Sequence, residues 1–190
     1  MGRTKEFDPD TVLRAALDLF WHKGYEATSI QDLVDHLGIG RASIYATFGN
    51  KHELYLKALQ RYRESDTVVS RLSQPGSAIA AIRALLHERV EEILADSDHK
   101  GCFAINTAAE CLPGDDQLTR QVEAAWNTVE TAFIGALYRA QAQGELAADR
   151  DPRALGGFLI TVLEGLYALA KVPDSQRLRD ATRVALSILD

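Results

Sequence analysis

The amino-acid sequence predicts an all-helical protein, and three observations support that fold class. Apolar residues recur along most of the chain at the i, i+3, i+4, i+7 spacing of one helix face. Glycine and proline interrupt these segments at intervals. No stretch alternates apolar and polar residues as a half-buried strand would. We count nine amphipathic or apolar segments, four in the first third of the chain and five after it.

Length and composition fit a globular intracellular protein. The chain has 190 residues, of which 46% are hydrophobic and 25% are charged. No apolar run approaches the roughly 20 residues that cross a bilayer, and the N-terminus has no apolar signal region. We therefore expect a cytoplasmic protein without a membrane partner. Its two cysteines, Cys102 and Cys111, are too few for a disulfide scaffold.

Charge is distributed unevenly along the chain. Residues 1–63 contain nine basic and eight acidic side chains, whereas residues 64–190 contain 12 basic and 19 acidic ones. The N-terminal part is therefore nearly balanced, although the whole chain has a formal net charge of −6. This asymmetry allows the N-terminal part to approach phosphate while the remainder is repelled from it.

The first predicted helix begins near Pro9 and ends at Lys23, because proline suits a first helical turn and Gly24 follows. Its apolar stripe comprises Val12, Ala15, Ala16, Leu19 and Phe20. Before it, Arg3 and Lys5 suit contacts with phosphates, but a disordered arm fits those two residues equally well.

Residues 29–48 predict two short helices joined by a tight turn. Ser29 followed by Asp32 resembles a capping box, so the first of the two begins near Ile30. Gly38 ends this helix where a left-handed residue is needed. Its buried face is predicted to contain Ile30, Leu33, Val34 and Leu37.

The second short helix begins almost immediately, and its two faces differ in chemistry. Ile44 and Phe48 supply an inner face, whereas polar or small residues stand at its start and on its outer side: Arg41, Ala42, Ser43 and Tyr45. A short helix that presents arginine, serine and tyrosine outward is typical of a helix-turn-helix, which inserts it into a DNA major groove.

Asn50 is predicted to cap a fourth helix that begins at Lys51 and continues toward Leu72. Pro75-Gly76 then forms the clearest interruption in the chain. Five helices are predicted after it, approximately over residues 79–94, 102–111, 115–143, 152–170 and 178–189. The helix from Leu155 to Ala170 is apolar nearly all round and so needs partners on several sides.

The run from Phe7 to Tyr55 closely resembles the N-terminal domain of TetR-type transcriptional repressors. The likeness rests on four stretches, namely Ala15-Ala16-Leu17-Asp18-Leu19-Phe20, Gly24-Tyr25-Glu26-Ala27-Thr28-Ser29-Ile30, Leu37-Gly38-Ile39 and Ser43-Ile44-Tyr45-Ala46-Thr47-Phe48-Gly49-Asn50-Lys51. It implies a nine-helix architecture with a three-helix helix-turn-helix DNA-binding domain at residues 6–66. Residues 67–190 would form the effector-binding and dimerisation domain.

The resemblance also implies roles for individual residues. Arg41, Ala42 and Ser43 stand where family members read base edges. Phosphate contacts fall on a second set, namely Thr28, Ser29, Tyr45, Thr47 and Lys51, although relatives commonly carry His or Tyr at position 47. The side chains suit these roles, because arginine can donate two hydrogen bonds to guanine, while hydroxyls and lysine can bind the phosphate backbone of DNA.

For the C-terminal domain the resemblance implies a homodimer and a small-molecule effector that releases a near-palindromic operator. We expect the last two helices, about 152–171 and 175–189, to form the dimer interface. Candidate effector-binding residues are those that could line a pocket between helices, namely Phe103, Asn106, Glu110, Trp126, Phe133 and Tyr167.

Functions other than DNA binding, namely catalysis, metal binding and thiol sensing, would need other residues. The sequence lacks nucleophile-elbow and zinc-protease motifs, and its histidines show no metal-ligand pairing, so we expect no catalytic residue, metal or cofactor. A thiol sensor remains an alternative, because Cys102 lies at a helix start after Lys100, where a thiol pKa is lowered. A helical ligand-binding protein that no longer binds DNA is the other alternative.

Overall fold

A computed structural model describes residues 7–190, and in this part of the chain every regular element is helical. Arg3 and Lys5 lie outside the described residues. The described residues form ten α-helices, namely α1 (Pro9–Lys23), α2 (Ile30–Leu37), α3 (Arg41–Phe48), α4 (Lys51–Glu64), α5 (Val68–Leu72), α6 (Ala78–Ala95), α7 (Phe103–Cys111), α8 (Asp116–Ala142), α9 (Pro152–Leu169) and α10 (Ser175–Leu186). A short 3-10 helix, Ser187–Leu189, follows α10.

The predicted all-helical architecture is confirmed, with one difference in the fourth helix. Nine of the α-helices correspond to the nine predicted segments. The tenth, α5, arises because α4 ends at Glu64 and does not continue to Leu72. The side chain of Asp66 accepts a hydrogen bond from the Val68 amide at 2.8 Å, and such local side-chain bonds compete with helix continuation.

The chain divides into two compact units whose boundaries differ from the predicted domains. The first unit contains residues 7–65 together with Asn106–Val122, and the second contains Asp66–Ile105 and Glu123–Asp190. The predicted boundary at residue 66 lies one residue after the end of the first stretch. The segment Asn106–Val122, however, was assigned from the sequence to the C-terminal domain.

In the first unit, α1 packs against α2 and α4 around an aromatic centre. The Phe20 and Tyr55 rings meet edge to face with centroids 4.9 Å apart. The other fully or almost fully buried side chains include Val12, Ala16, Leu33, Ile44, Phe48, Leu54, Ala58 and Leu59. Burial of these apolar side chains supplies the main force that holds the short α2 and α3 in place.

The second unit is a helical bundle in which α6 packs against α5, α9 and α10. Its principal core is formed by aliphatic residues from these helices and α8, with Phe133 fully buried among them. Pro152 occupies the first turn of α9, as predicted, and Asp151 caps that helix by accepting a hydrogen bond from the Arg153 amide.

Candidate nucleic-acid interface

The start of α2 is fixed by the capping box that the sequence predicts. Ser29 Oγ accepts a hydrogen bond from the Asp32 amide at 3.1 Å, and Asp32 accepts one from the Ser29 amide at 2.7 Å. The Lys23 ammonium lies 2.6 Å from the other Asp32 oxygen. Hydrogen bonds from Lys23 and then Ser29 hold the pKa of Asp32 well below its ordinary value.

The turn between α2 and α3 depends on the backbone of Gly38. This residue has φ +66° and ψ 19°, the left-handed conformation, and its amide donates to the Val34 carbonyl. A Cβ at this position would meet no neighbouring atom within 4 Å, so conformation, and not space, favours glycine here. Gly40 directly precedes Arg41, the first residue of α3, so the connection between the two helices is three residues long.

The two faces of α3 match the prediction. Ile44 is fully buried and Phe48 is 4% exposed, so the inner face is packed against the first unit's core. Tyr45 is 46% exposed, and Arg41 and Ala42 are also exposed. The helix therefore presents a guanidinium, a methyl group and a phenol to its surroundings.

The start of α4 places a lysine next to an aromatic ring. Asn50 and Glu53 form a second capping box, in which Asn50 Oδ1 accepts from the Glu53 amide at 3.0 Å. Lys51 follows the cap, and its Nζ lies 4.2 Å from the centroid of the Tyr25 ring. This geometry is a cation–π contact, which holds the ammonium at the N-terminal end of the helix.

Most of the predicted DNA-contacting side chains are at least partly accessible in the structure. Exposed or half-buried members are Ser29, Arg41, Ala42, Ser43, Tyr45, Thr47 and Lys51. Thr28 differs from them, because it is fully buried and its Oγ1 donates to the Gly24 carbonyl at 2.5 Å. Its predicted phosphate contact would require the hydroxyl to leave that partner.

The six candidate effector-binding residues are divided between the two units. Asn106 and Glu110 belong to the first unit, whereas the other four, Phe103, Trp126, Phe133 and Tyr167, belong to the second. Both Glu110 oxygens accept hydrogen bonds from backbone amides, those of Tyr25 and Glu26. The Glu110 carboxylate is therefore used within the first unit, in a role that the sequence did not predict.

Neither cysteine has the surroundings of a reactive thiol. Cys102 is 4% exposed, immediately before α7. Burial, followed by the charge of Glu110, raises the pKa of the half-buried Cys111 to about 11. Because the thiolate is the reactive form, these features weigh against the predicted alternative of a thiol sensor.

Metal-binding clusters and membrane spans also bear on the kind of site. Within residues 7–190, no group of three or more His, Cys, Asp or Glu side chains is arranged to hold a metal ion. None of the helices in this same range is sufficiently long and apolar to cross a membrane.

The capped α2, the left-handed turn at Gly38 and the outward face of α3 define a helix-turn-helix DNA-binding regulator. A family model described as bacterial regulatory proteins, tetR family, matches residues 12–58, and one described as the tetracyclin repressor-like C-terminal domain matches residues 78–186. The chain belongs to the TetR family of bacterial transcriptional regulators, as its sequence predicts, and members of this family are not enzymes.

Individual relatives agree with this assignment over the whole chain. The HTH-type transcriptional regulator YezE of Bacillus subtilis (strain 168) is 43% identical over 194 residues and covers 100% of both chains. The transcriptional repressor ComR of Escherichia coli (strain K12) is 30% identical, covering 90% of this chain and 82% of ComR. A CifR cysteine mutant solved with 26-bp double-strand operator DNA is 32% identical, with a TM-score of 0.87 and 98% of each chain covered.

Proposed function

We propose that this regulator is a dimeric repressor that binds a near-palindromic operator and is released by a small molecule. The outward face of α3 carries the proposal. Arg41 and Ala42 are exposed there while Ile44 is buried, so the helix can enter a major groove without losing its packing. In this proposal Arg41, Ala42 and Ser43 read base edges.

The remaining DNA-contacting residues would bind phosphates and so orient α3, the reading helix, in the major groove. Ser29 and Lys51 stand at the starts of α2 and α4, where helix N-termini favour an anion. Tyr45 and Thr47 would contribute hydroxyls from α3. Operator DNA in the CifR structure and the repressor name of ComR support both DNA binding and repression for this chain.

Exposed apolar side chains on α9 and α10 support dimerisation through the last two helices. Phe158 is 39% exposed on α9, and Val184 is 61% exposed on α10. A two-fold arrangement that covers both side chains would bury apolar surface and present two reading helices to the two halves of a palindrome. Because its target is chromosomal DNA, we place the dimer in the cytoplasm.

The second unit contains buried polar atoms with incomplete hydrogen bonding, which suit a small-molecule effector. Trp126 Nε1 and Glu164 Oε2 are buried, and no hydrogen bond of good geometry reaches either atom within the described residues. Buried polar atoms with incomplete hydrogen bonding are costly, so a ligand that offers complementary groups would be stabilised here. Such a ligand would favour one of two states of the dimer.

Release would follow from a change in the distance between the two reading helices. Successive major-groove faces on one side of B-DNA are separated by about 34 to 36 Å, so a ligand-favoured spacing outside this value or its multiples weakens binding. Effector binding would then weaken operator binding, and operator binding would weaken effector binding by the same factor.

Selection from a random duplex pool tests the proposal directly. The full chain should enrich a sequence with two related half-sites, and binding to that duplex should weaken steeply with salt. Candidate effectors added to the complex should then lower its affinity. A chain that enriches no duplex, and binds its own upstream DNA no better than shuffled DNA at any salt concentration, would instead be a helical ligand-binding protein without DNA.

A further inference from the structure

The segment Asn106–Val122 packs within the same unit as the helix-turn-helix and contacts α4 and the turn between α1 and α2 at four points. The buried Tyr55 and Thr107 hydroxyls are 2.9 Å apart, and His52 Nε2 lies 2.5 Å from Asp115 Oδ2. Arg63 donates to Gln121 at 2.5 Å. The fourth point, at Glu110, differs from the others because it holds backbone and not a side chain.

Glu110 binds two consecutive amides in the turn between α1 and α2. The Tyr25 amide donates to Oε2 at 2.9 Å, and the Glu26 amide donates to Oε1 at 2.8 Å. Both amides lie just beyond the end of α1, outside its ladder of backbone hydrogen bonds. A carboxylate that accepts two such bonds is a strong, charge-assisted acceptor, so it fixes the path of this turn.

Gly24 makes room for this carboxylate. Its φ of +87° is a conformation that favours glycine, and a Cβ at this position would lie 3.0 Å from each Glu110 oxygen. Both the backbone conformation of Gly24 and its lack of a Cβ therefore allow the Glu110 carboxylate to lie against the turn.

The turn that Glu110 holds carries two groups of the candidate phosphate site. The Tyr25 ring supports the Lys51 ammonium at 4.2 Å. The Tyr25 carbonyl accepts a hydrogen bond from the Thr28 amide at 3.2 Å, directly before Ser29, the cap of α2. Movement of the Tyr25 backbone would consequently displace both Lys51 and the start of α2.

We propose that Glu110 is a positioning residue for phosphate binding. It acts through the Tyr25-Glu26 backbone on Lys51 and on the start of α2, and it touches no DNA itself. The proposal rests on the proposed DNA-binding function but adds to it, because Glu110 lies outside the helix-turn-helix and outside the residues that the family resemblance assigns to DNA contacts.

Electrostatics and positioning predict opposite effects of removing this carboxylate. Glu110 contributes a negative charge to the DNA-binding unit, so its neutralisation alone should tighten binding to a polyanion. If the carboxylate positions Lys51, its removal should weaken binding. The sign of the change therefore distinguishes the two effects.

The experiment measures binding of a fluorescein-labelled duplex enriched by the wild-type chain, using anisotropy at several salt concentrations. Glu110→Ala should weaken binding about tenfold and lower the salt slope by about one phosphate contact, similar to Lys51→Ala. Glu110→Gln should lie between wild type and Glu110→Ala, since its amide oxygen can still accept one of the two hydrogen bonds. The double variant Glu110→Ala/Lys51→Ala should bind no more weakly than Lys51→Ala alone, because both changes remove the same contact.

Glu123→Gln is the matched control, since Glu123 is an exposed glutamate on α8 and its replacement makes the same charge change. It should bind as tightly as wild type or slightly more tightly. Circular dichroism establishes that each variant is folded at the assay temperature, and Glu110→Gln carries the test if Glu110→Ala is unfolded. Unchanged or tighter binding by a folded Glu110 variant, while Lys51→Ala weakens binding, would overturn the proposal and leave the DNA-binding function intact.

Discussion

The Lys51 ammonium lies over the face of the Tyr25 ring, with Nζ 4.2 Å from the ring centroid. The two residues come from different elements, since Tyr25 lies in the turn after α1 and Lys51 begins α4. The contact restricts a long, flexible side chain at a helix N-terminus, where the backbone also attracts anions. A positive charge held in this way loses less entropy when it binds a phosphate.

Replacing Lys51 with alanine should therefore weaken DNA binding about equally on all sequences. A phosphate contact contributes no base preference, so the slope of log affinity against log salt should fall by about one while the preferred sequence stays the same. Binding titrations on the enriched duplex and on shuffled DNA measure both quantities. A loss confined to one base position would contradict the phosphate role.

Replacing Arg41 with alanine should instead weaken binding to the preferred sequence and change the base preference. The loss should be about 1 to 3 kcal/mol on the preferred duplex, with a relaxed preference at one position of each half-site. Competition with single-base variants of the duplex measures that preference. Arg120→Ala, at an exposed position on α8, makes the same charge change outside the proposed dimer interface and should leave both affinity and preference unaltered.

The Tyr55–Thr107 hydrogen bond should contribute to stability, because both residues are almost completely buried. Tyr55→Phe deprives the Thr107 hydroxyl of this partner and should cost about 1 to 3 kcal/mol of unfolding free energy. Thr107→Val should cost a similar amount. The double variant should cost less than the sum of the two, and urea unfolding of all four proteins would test this coupling; strict additivity would exclude it.

Two helical glycines should respond oppositely to replacement by alanine. A Cβ at Gly156 would lie 2.4 Å from Ile134 Cγ1, so Gly156→Ala should destabilise the protein by about 1 to 3 kcal/mol. At Gly135, on α8, no such atom lies within 4 Å, so Gly135→Ala should stabilise the protein by up to about 1 kcal/mol through helix propensity. Thermal unfolding at one fixed protein concentration compares them.

Glu164 should make stability depend on pH. Burial raises its pKa from 4.5 to about 7, although the Cys102 thiol partly offsets the rise. The folded protein thus keeps this proton at pH values where the unfolded chain has lost it, so its contribution to stability is fully present below about pH 4.5 and is lost as pH rises to about 7.

Between pH 4 and pH 8, the stability of Glu164→Gln relative to wild type should therefore rise by about 3 kcal/mol, because one pKa unit corresponds to about 1.4 kcal/mol. Chemical unfolding at both pH values measures the change. Glu123→Gln, which alters an exposed glutamate on α8, should show no such pH dependence. An equal effect of Glu164→Gln at both pH values would contradict the burial argument.

Local sequence signals predicted most of the helical boundaries and the helix-turn-helix. Ser29 and Asp32 are three residues apart, so their capping box can be recognised without knowledge of the tertiary structure. The left-handed turn at Gly38 is local in the same sense. The faces of α3 were also predictable, because helical periodicity separates Ile44 and Phe48 from Tyr45.

Long-range partners could not be predicted in this way. Glu110 is 85 residues from Tyr25 and 84 from Glu26, and nothing in its neighbourhood indicates that its carboxylate binds backbone amides. Periodicity placed Glu110 in an apolar helix, which suggested a ligand contact instead. The burial of Thr28 could not be predicted for a related reason, since tertiary packing covers its side chain and its hydroxyl donates to the Gly24 carbonyl.

The composition of the first unit constrains how hybrid regulators can be constructed. A fusion that joins residues 1–65 to the C-terminal part of another regulator would omit Asn106–Val122, which completes this unit. The Tyr25 and Glu26 amides would lose their carboxylate, and the buried Tyr55 hydroxyl would lose Thr107. We expect a transplant of this DNA-binding specificity to succeed only where the recipient protein supplies an acidic and a hydroxyl side chain at the equivalent positions of its own seventh helix.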